Sequence, residues 1–513
     1  MGIRKIRLPY RDSCCTKMLR IRHSVALLGC ILAITPAFSQ SPCDGLGALK
    51  LPSTSITASQ SVPATAELPA SCRVSAILRP SADSEIKMEV WLPSADRWNG
   101  NFLANGNGGW TGLINPTALS TGLQRGYATV MCDLGHQGGS ASFALGHPEK
   151  LIDFGYRASH EMTVAGKAIA TSYYGRAPKL AYWTGCSAGG RQAMMEAQRY
   201  SQDFDGIVAG APGLDWTGRA LLAVWIAQAM HKDEAGYIPP PKYALIHSAV
   251  LQACDVLDGV KDAVLESPAQ CKFDPQVLVC RGADGPDCLT DAQVKTARTI
   301  YAGPVNPRTN QAIAPGLECG SELGWATMGG PQPLSLGTEL FKYVIFQNPD
   351  WDYRSFDFDK DVAQTLMAEA GILNARNPDL SAFFKHGGKL IQYHGWSDPQ
   401  IPPRSSVIYY QSVLDSMGDR AKVQNSYRLF MVPGMAHCQG GDGTSTFDML
   451  SALEQWVTSG KAPEMIRASR RSGDVIDRTR PLCPYPQVAR YKGAGDINDA
   501  ANFVCGAELR ASK

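Results

Sequence analysis

The sequence predicts an α/β fold: a doubly wound, mostly parallel sheet into which a large segment is inserted. Three observations point there. Between Ile86 and Pro212, short β-prone apolar runs alternate with helix-compatible stretches, the order that a parallel sheet requires. From Gly213 to His386 the alternation stops, and helical stretches, clustered cysteines and aromatic-rich loops take over. Beyond Gly387 strands and helices alternate again. The expected organisation is a leader over 1–39, a core from 40–212 and 387–513, and a lid domain over 213–386.

The elements follow in order. Ser41 to Ser84 is rich in Ser, Ala and Thr and reads as edge β structure. Ile86–Leu92 alternates and stops at Pro93, the pattern of a half-buried strand. Phe102–Ala104 is a second strand, Tyr127–Asp133 a third, Leu180–Thr184 a fourth and Phe204–Pro212 a fifth. Phe154–Tyr174 carries helical periodicity, and Arg191–Tyr200 is helix-compatible. Within the insertion, Leu221–His231, Pro240–Ala253 and Thr290–Tyr301 read as helices. Lys389–His394 and Ser426–Val432 are the late strands, with helices at Ser405–Met417 and Phe447–Ser459.

Composition narrows the function classes. With 513 residues and a net charge of +2, the chain shows no long single-sign run and no footprint for nucleic acid. Seven basic residues up to Arg22 precede an apolar run, Val25–Ile34, and Ala37-Phe38-Ser39 offers small residues for cleavage. That run is shorter than the roughly 20 residues a membrane span needs, so the reading is export, to the periplasm or outside, with Met1 or Met18 as the start. The cysteines agree. Of 15, Cys14, Cys15 and Cys30 fall in the leader, and an even remainder in an exported chain fits a disulfide framework. Close spacing favours Cys254/Cys271, Cys280/Cys288 and Cys483/Cys505, and Cys43/Cys72 is compatible.

The chemistry centres on Gly185-Cys186-Ser187-Ala188-Gly189, set between a strand and a helix. A serine on such a sharp turn is a nucleophile elbow, and the next backbone N–H, that of Ala188, would face a developing oxyanion. The cluster Asn105-Gly106-Asn107-Gly108-Gly109-Trp110 either supplies a second oxyanion donor, with Gly108 and Gly109 the candidates, or is a flexible hairpin. A serine needs a base and an orienting acid. Asp398 follows the Lys389–His394 strand, and His437 follows the Ser426–Val432 strand. Cys186 precedes the serine and Cys438 follows the histidine. If the two active residues meet, their neighbours come within bridging distance.

Taken together, Gly185-Cys186-Ser187-Ala188-Gly189-Gly190-Arg191-Gln192, Asp205–Pro212, His394-Gly395-Trp396-Ser397-Asp398 and Pro433-Gly434-Met435-Ala436-His437-Cys438 resemble the tannase and feruloyl esterase family over most of the mature chain. The resemblance implies an α/β-hydrolase core with a lid, Ser187 as nucleophile, His437 as base, Asp398 as orienter and a Cys186–Cys438 bridge. It implies a secreted serine esterase acting on small aromatic esters, galloyl or hydroxycinnamoyl. The family includes a hydrolase of a terephthalate monoester; Ile401 stands where that enzyme has an aromatic residue, which argues against that activity. A binding protein that has kept the scaffold without catalysis is the alternative from another class.

The run Cys254–Val264 holds three carboxylates around an Asp-Gly turn, which by itself is a solvated turn or a cation loop. It is similar to the family's lid calcium loop. That likeness implies a structural calcium held by the Asp255, Asp258 and Asp262 carboxylates and the Val260 and Val264 carbonyls. Cys132 and Cys319 have no counterpart in the family pattern and either pair with each other or stay free. Among possible substrate contacts, Trp325, Phe341 and Tyr343 offer lid aromatics, with Ile401 beside Asp398. His394 either touches the acyl ring or braces the loop.

Overall fold

A computed structural model describes residues 42–507. The expected leader therefore lies outside the described residues. Nine strands form one sheet in the order β1-β2-β3-β5-β4-β6-β7-β8-β9. They are β1 (Thr54–Val62), β2 (Ser71–Leu78), β3 (Ile86–Pro93), β4 (Phe102–Asn105), β5 (Ala128–Cys132), β6 (Ala181–Cys186), β7 (Gly206–Gly210), β8 (Lys389–Gly395) and β9 (Tyr427–Val432). The pairings β1–β2, β2–β3 and β3–β5 are antiparallel. Those from β5 through β4, β6, β7 and β8 to β9 are parallel. The architecture is that of an α/β-hydrolase. Strand order reverses at β4 and β6, and such a switch point opens a crevice at the carboxyl ends of the strands.

Both faces of the parallel strands are apolar because both are covered by helices. Phe102, Trp183, Ile207 and Leu390 point into one core cluster, and their neighbours Leu103, Tyr182, Val208 and Ile391 into another. The helices that matter to the site are α1 (Pro116–Gln124), α2 (Ala158–Tyr174), α3 (Ala188–Arg199), α4 (Trp216–His231), α5 (Pro241–Cys254), α6 (Asp291–Ala302), α7 (Arg404–Met417) and α8 (Met449–Ser459). Thr290 caps α6 with a full capping box to Gln293. Asp448 caps α8 through Ser451 N.

The segment between β7 and β8 holds α4, α5 and α6 and an apolar cluster of its own, built on Leu222, Ile226, Ile246, Val250, Val294 and Trp325. Helix α4 begins at Trp216, five residues before the periodic apolar run that predicts it. Asp215 accepts from Gly218 N and starts the helix over the polar residues Thr217 and Arg219. The C-terminal region adds two hairpins, Ile466–Ser472 with Val475–Leu482 and Gln487–Tyr491 with Phe503–Ala507. The sequence reading passed over both.

Five disulfides are formed: Cys43–Cys72, Cys186–Cys438, Cys254–Cys271, Cys280–Cys288 and Cys483–Cys505. Cys132 is a buried free thiol and Cys319 a partly buried one, so these two do not pair with each other. Among the described residues no helix is long and apolar enough to cross a membrane.

Candidate active site

Strand β6 ends at Cys186, and Ser187 turns the chain into α3 with φ 64° and ψ −121°. A non-glycine residue in this region is strained and must be held there. The holding bonds are Ser187 N–H to Gly210 O at 2.9 Å, with Ser187 O accepting from Arg191 N at 3.0 Å and Gly213 N at 3.2 Å. A Cβ on Gly185 would lie 2.6 Å from the Gly189 carbonyl, so the turn closes only with glycine there. The Ala188 N–H is the first of α3 and has no intrahelical acceptor.

The glycine-rich loop after β4 presses on the elbow through Gly106 and Asn107. A Cβ on Gly106 would lie 2.5 Å from Gly189 Cα. Asn107 N–H donates to Gln192 Oε1 at 3.1 Å, and its side-chain amide donates to the carbonyls of Leu113 and Cys132. Gly108 follows on the exposed side with open space around it, and Gly109 (φ 53°) faces Leu336. With the Asn107 amide committed to Gln192, the next N–H along the loop is that of Gly108.

Asp398 is fully buried in the loop after β8. Its Oδ2 accepts from His437 Nδ1 at 2.7 Å. Its Oδ1 accepts from the N–H groups of Gln400 and Ile401 at 2.8 and 3.0 Å. His394, also fully buried, reaches Asp398 Oδ2 with Nε2 at 3.1 Å and Ser406 Oγ with Nδ1 at 2.6 Å. Burial alone would raise the Asp398 pKa. The neighbouring His437 and His394, by charge and hydrogen bond, outweigh it and hold the carboxyl well below its usual range. His394 is thus a brace for Asp398 and has no surface left for an acyl ring.

The Cys186–Cys438 bridge joins this loop to the elbow, with Cα atoms 6.1 Å apart. The bond flanks Ser187 on one side and His437 on the other. Among the described residues the hydrogen-bonded chain runs Ser406–His394–Asp398–His437 and stops short of the Ser187 hydroxyl. Catalytic contacts of this kind commonly tighten only when substrate binds.

The expected substrate contacts divide. Ile401 is 3% exposed and lies beside Gly213, which bonds the Ser187 carbonyl. Trp325 does not face the site. It is packed edge-on to Tyr243 and Tyr301 in the insertion core, and its N–H donates to Ser321 Oγ. Phe341 is likewise consumed by a cluster with Phe346, Trp351 and Phe356. Tyr343 is half-buried against the main core. Burial thus takes Trp325 into the insertion's own core and Phe341 into the main core. Trp216, which packs on Gly213 beside the elbow, is in mutual contact with Trp110 and Phe154. Sequence reading missed Trp216 because it started α4 too late.

In the loop after α5, Asp258, Val260, Asp262 and Val264, together with Glu266, Arg478 and Arg480, line a small cavity of about 10 Å³, room for one water-sized occupant. Burial first, and the nearby Asp262 and Asp255 charges, push the Asp258 carboxyl up to about 6. Asp255 spends its carboxylate on the N–H groups of Asp262, Ala263 and Val264 and so shapes the loop. Asp262 is paired with Arg480 and Arg478. Hard oxygen donors beside a one-atom cavity suit a calcium ion, but two members of the expected set are already engaged, Asp255 by backbone amides and Asp262 by Arg480 and Arg478.

A sequence profile described as tannase and feruloyl esterase matches residues 72–506. The chain belongs to the tannase and feruloyl esterase family. It is therefore a carboxylic ester hydrolase. An uncharacterized esterase of Xanthomonas campestris pv. campestris is 39% identical over 95% of this chain and 96% of its own. A probable feruloyl esterase B-2 of Aspergillus fumigatus is 33% identical over 89% and 90%. Among solved structures, feruloyl esterase B from Aspergillus oryzae superposes with a TM-score of 0.84 at 30% identity, over 90% of this chain and 99% of that one. Tannin acyl hydrolase from Aspergillus niger shares the fold, with a TM-score of 0.76 at 22% identity, over 91% of this chain and 95% of that one.

Proposed function

We propose that this family member is an exported serine esterase that cleaves esters of aromatic acids through an acyl-enzyme. The observation that carries the reading is the Cys186–Cys438 bridge. It sets the strained Ser187 turn against a histidine already oriented by a buried carboxylate. Ser187 Oγ attacks the ester carbonyl while His437 takes its proton at Nε2. The Asp398 carboxylate fixes the tautomer by accepting from Nδ1–H and stabilises the imidazolium. The oxyanion is met by the Ala188 N–H and an N–H of the glycine loop at Gly108 or Gly109, each donor contributing about 3 kcal/mol to the transition state. The carbon–oxygen bond breaks, and the alcohol leaves with the proton from His437. Water, deprotonated by His437, then attacks the acyl carbon, releases the acid and restores the serine hydroxyl.

The feruloyl esterases among its relatives support an aromatic acyl preference. The leader-like sequence and the five bridges among the described residues support export. Calcium, held by Asp258, Asp262 and the carbonyls of Val260 and Val264, would neutralise buried carboxylates and fix the loop, and no chemical step needs it. Ser187→Ala tests the assignment. Hydrolysis of methyl ferulate should fall by about 10⁵ or more, and a variant that keeps the parent rate contradicts it.

A further inference from the structure

Helix α4 carries two neighbouring buried side chains whose N–H donors have no acceptor. Arg219 is 3% exposed, and neither Nη1 nor Nη2 makes a hydrogen bond. Trp216, one turn earlier, is 1% exposed, and its indole Nε1 is also unpartnered. The guanidinium lies over the indole, 5.2 Å from the ring centroid. Arg191 meets the other side of the same aromatic cluster, 5.2 Å from Trp216, and shows the contrast. Its two Nη atoms donate to the carbonyls of Gly155, Leu373 and Phe154. The Nη atoms of Arg191 are spent on the scaffold, and those of Arg219 are not.

The position of the pair ties it to the elbow. Gly213 N–H bonds the Ser187 carbonyl, and a Cβ at Gly213 would lie 3.4 Å from Trp216 and 3.6 Å from Ile401. Trp216 and Ile401 therefore flank the segment that holds the nucleophile. The Arg219 guanidinium, whose pKa burial depresses to about 10, is partly supported by the charge of Asp398. It makes no contact that would be spent on the carboxylate, whose four hydrogen bonds come from His437, His394 and two backbone amides.

Guanidinium and indole N–H groups only donate, so what they lack is an oxygen acceptor. Leaving such donors buried and unmade is costly, and a site built to hydrogen-bond a ligand discriminates strongly against the analogue without the acceptor. The indole and its neighbours Trp110 and Phe154 add aromatic surface.

We propose that Arg219 and Trp216 are the specificity determinant of the acyl pocket, receiving an oxygen carried on the aromatic ring of the acyl group, away from the ester. The shared chemistry is a ring-borne oxygen acceptor, a phenolic hydroxyl or a carboxylate. This rests on Ser187 as nucleophile and names the acyl class for that site.

The test compares methyl p-coumarate, monomethyl terephthalate and methyl cinnamate, the last without ring oxygen, on the wild type, Arg219→Met and Trp216→Phe. The ratio of kcat/KM for the better oxygen-bearing ester to that for methyl cinnamate should fall by about 10-fold or more in Arg219→Met. It should fall by a smaller factor in Trp216→Phe, and whichever ester leads in the wild type separates phenol from carboxylate. If both rates drop together and the ratio stays put, Arg219 only supports the fold and the proposal is overturned. The free acids, titrated by tryptophan fluorescence, keep the question separate from the nucleophile. Tighter binding of the oxygen-bearing acid that is lost in Arg219→Met supports the pair even if Ser187 is not the nucleophile. Equal affinities in the wild type overturn the pair even if Ser187 is.

Discussion

The sulfur atoms of Cys186 and Cys438 are bonded across 252 residues of chain, and the bond lies one residue before Ser187 and one residue after His437. Loop closure of that length lowers the entropy of the unfolded chain by roughly 5 kcal/mol in the chain-entropy model. Locally it removes the freedom of two loops to drift apart. Replacing both cysteines by alanine should lower unfolding free energy by about 2–5 kcal/mol and kcat/KM for methyl ferulate by at least about tenfold. Chemical denaturation and initial rates at a temperature where the variant is folded measure the two separately. A variant as active as the parent would show that the bridge serves stability alone.

In the proposed mechanism His394 acts only through Asp398, to which it is hydrogen-bonded. His394→Phe removes one donor to Oδ2 and leaves His437 and the two amide bonds in place. The expected result is a fall in kcat of about 10- to 100-fold, the range seen when an outer hydrogen-bond partner is lost, with KM little changed. A rise in KM at constant kcat would place His394 against substrate instead.

Asp398 makes a definite pH prediction. Its folded pKa lies below the ordinary carboxylate value of about 3.9. Its contribution to stability is therefore complete above that ordinary value and is lost as pH falls through the folded one. The difference in unfolding free energy between wild type and Asp398→Asn should shrink as pH falls below about pH 4. Urea titrations across that range measure it, and a difference that grows on acidification would reverse the sign. At neutral pH the same substitution should cost about 10⁴ in kcat by favouring the wrong tautomer of His437.

The loop around Asp258 and Asp262 predicts a thermal shift without a change of mechanism. Chelator should lower Tm by several degrees, and added calcium should restore it by mass action. Asp258→Asn with Asp262→Asn should abolish the response. Rates well below Tm should change little, since no step of the proposed reaction passes through the ion. A Tm unmoved by chelator and by calcium would remove the ion from the loop.

Much of this was legible in the residues because the signals were local. Alternating apolar runs placed every strand of the parallel sheet, and Gly-x-Ser-x-Gly between a strand and a helix located the elbow. The tight i, i+n cysteine spacings anticipated three bridges. What was not legible depended on packing. Trp325 and Phe341 look like pocket aromatics in a list of residues, but Trp325 fills the insertion's own core and Phe341 is packed into the main core. The packing of Gly106 and Asn107 against the elbow was not legible, because the loop's approach is set by Gln192 on α3. Trp216 and Arg219 were hidden by a helix cap, Asp215, that started α4 before its apolar run. The C-terminal hairpins carry charged, half-exposed strands with little periodicity to read.

The central claim is that Ser187 is the residue acylated during turnover. Treatment of the purified protein with an organophosphorus ester, followed by intact mass and peptide mapping, tests it most directly. The account predicts a single adduct on the peptide carrying Ser187, lost in Ser187→Ala and strongly slowed in His437→Ala. An adduct on another residue, or undiminished labelling of the Ser187→Ala protein, would contradict it.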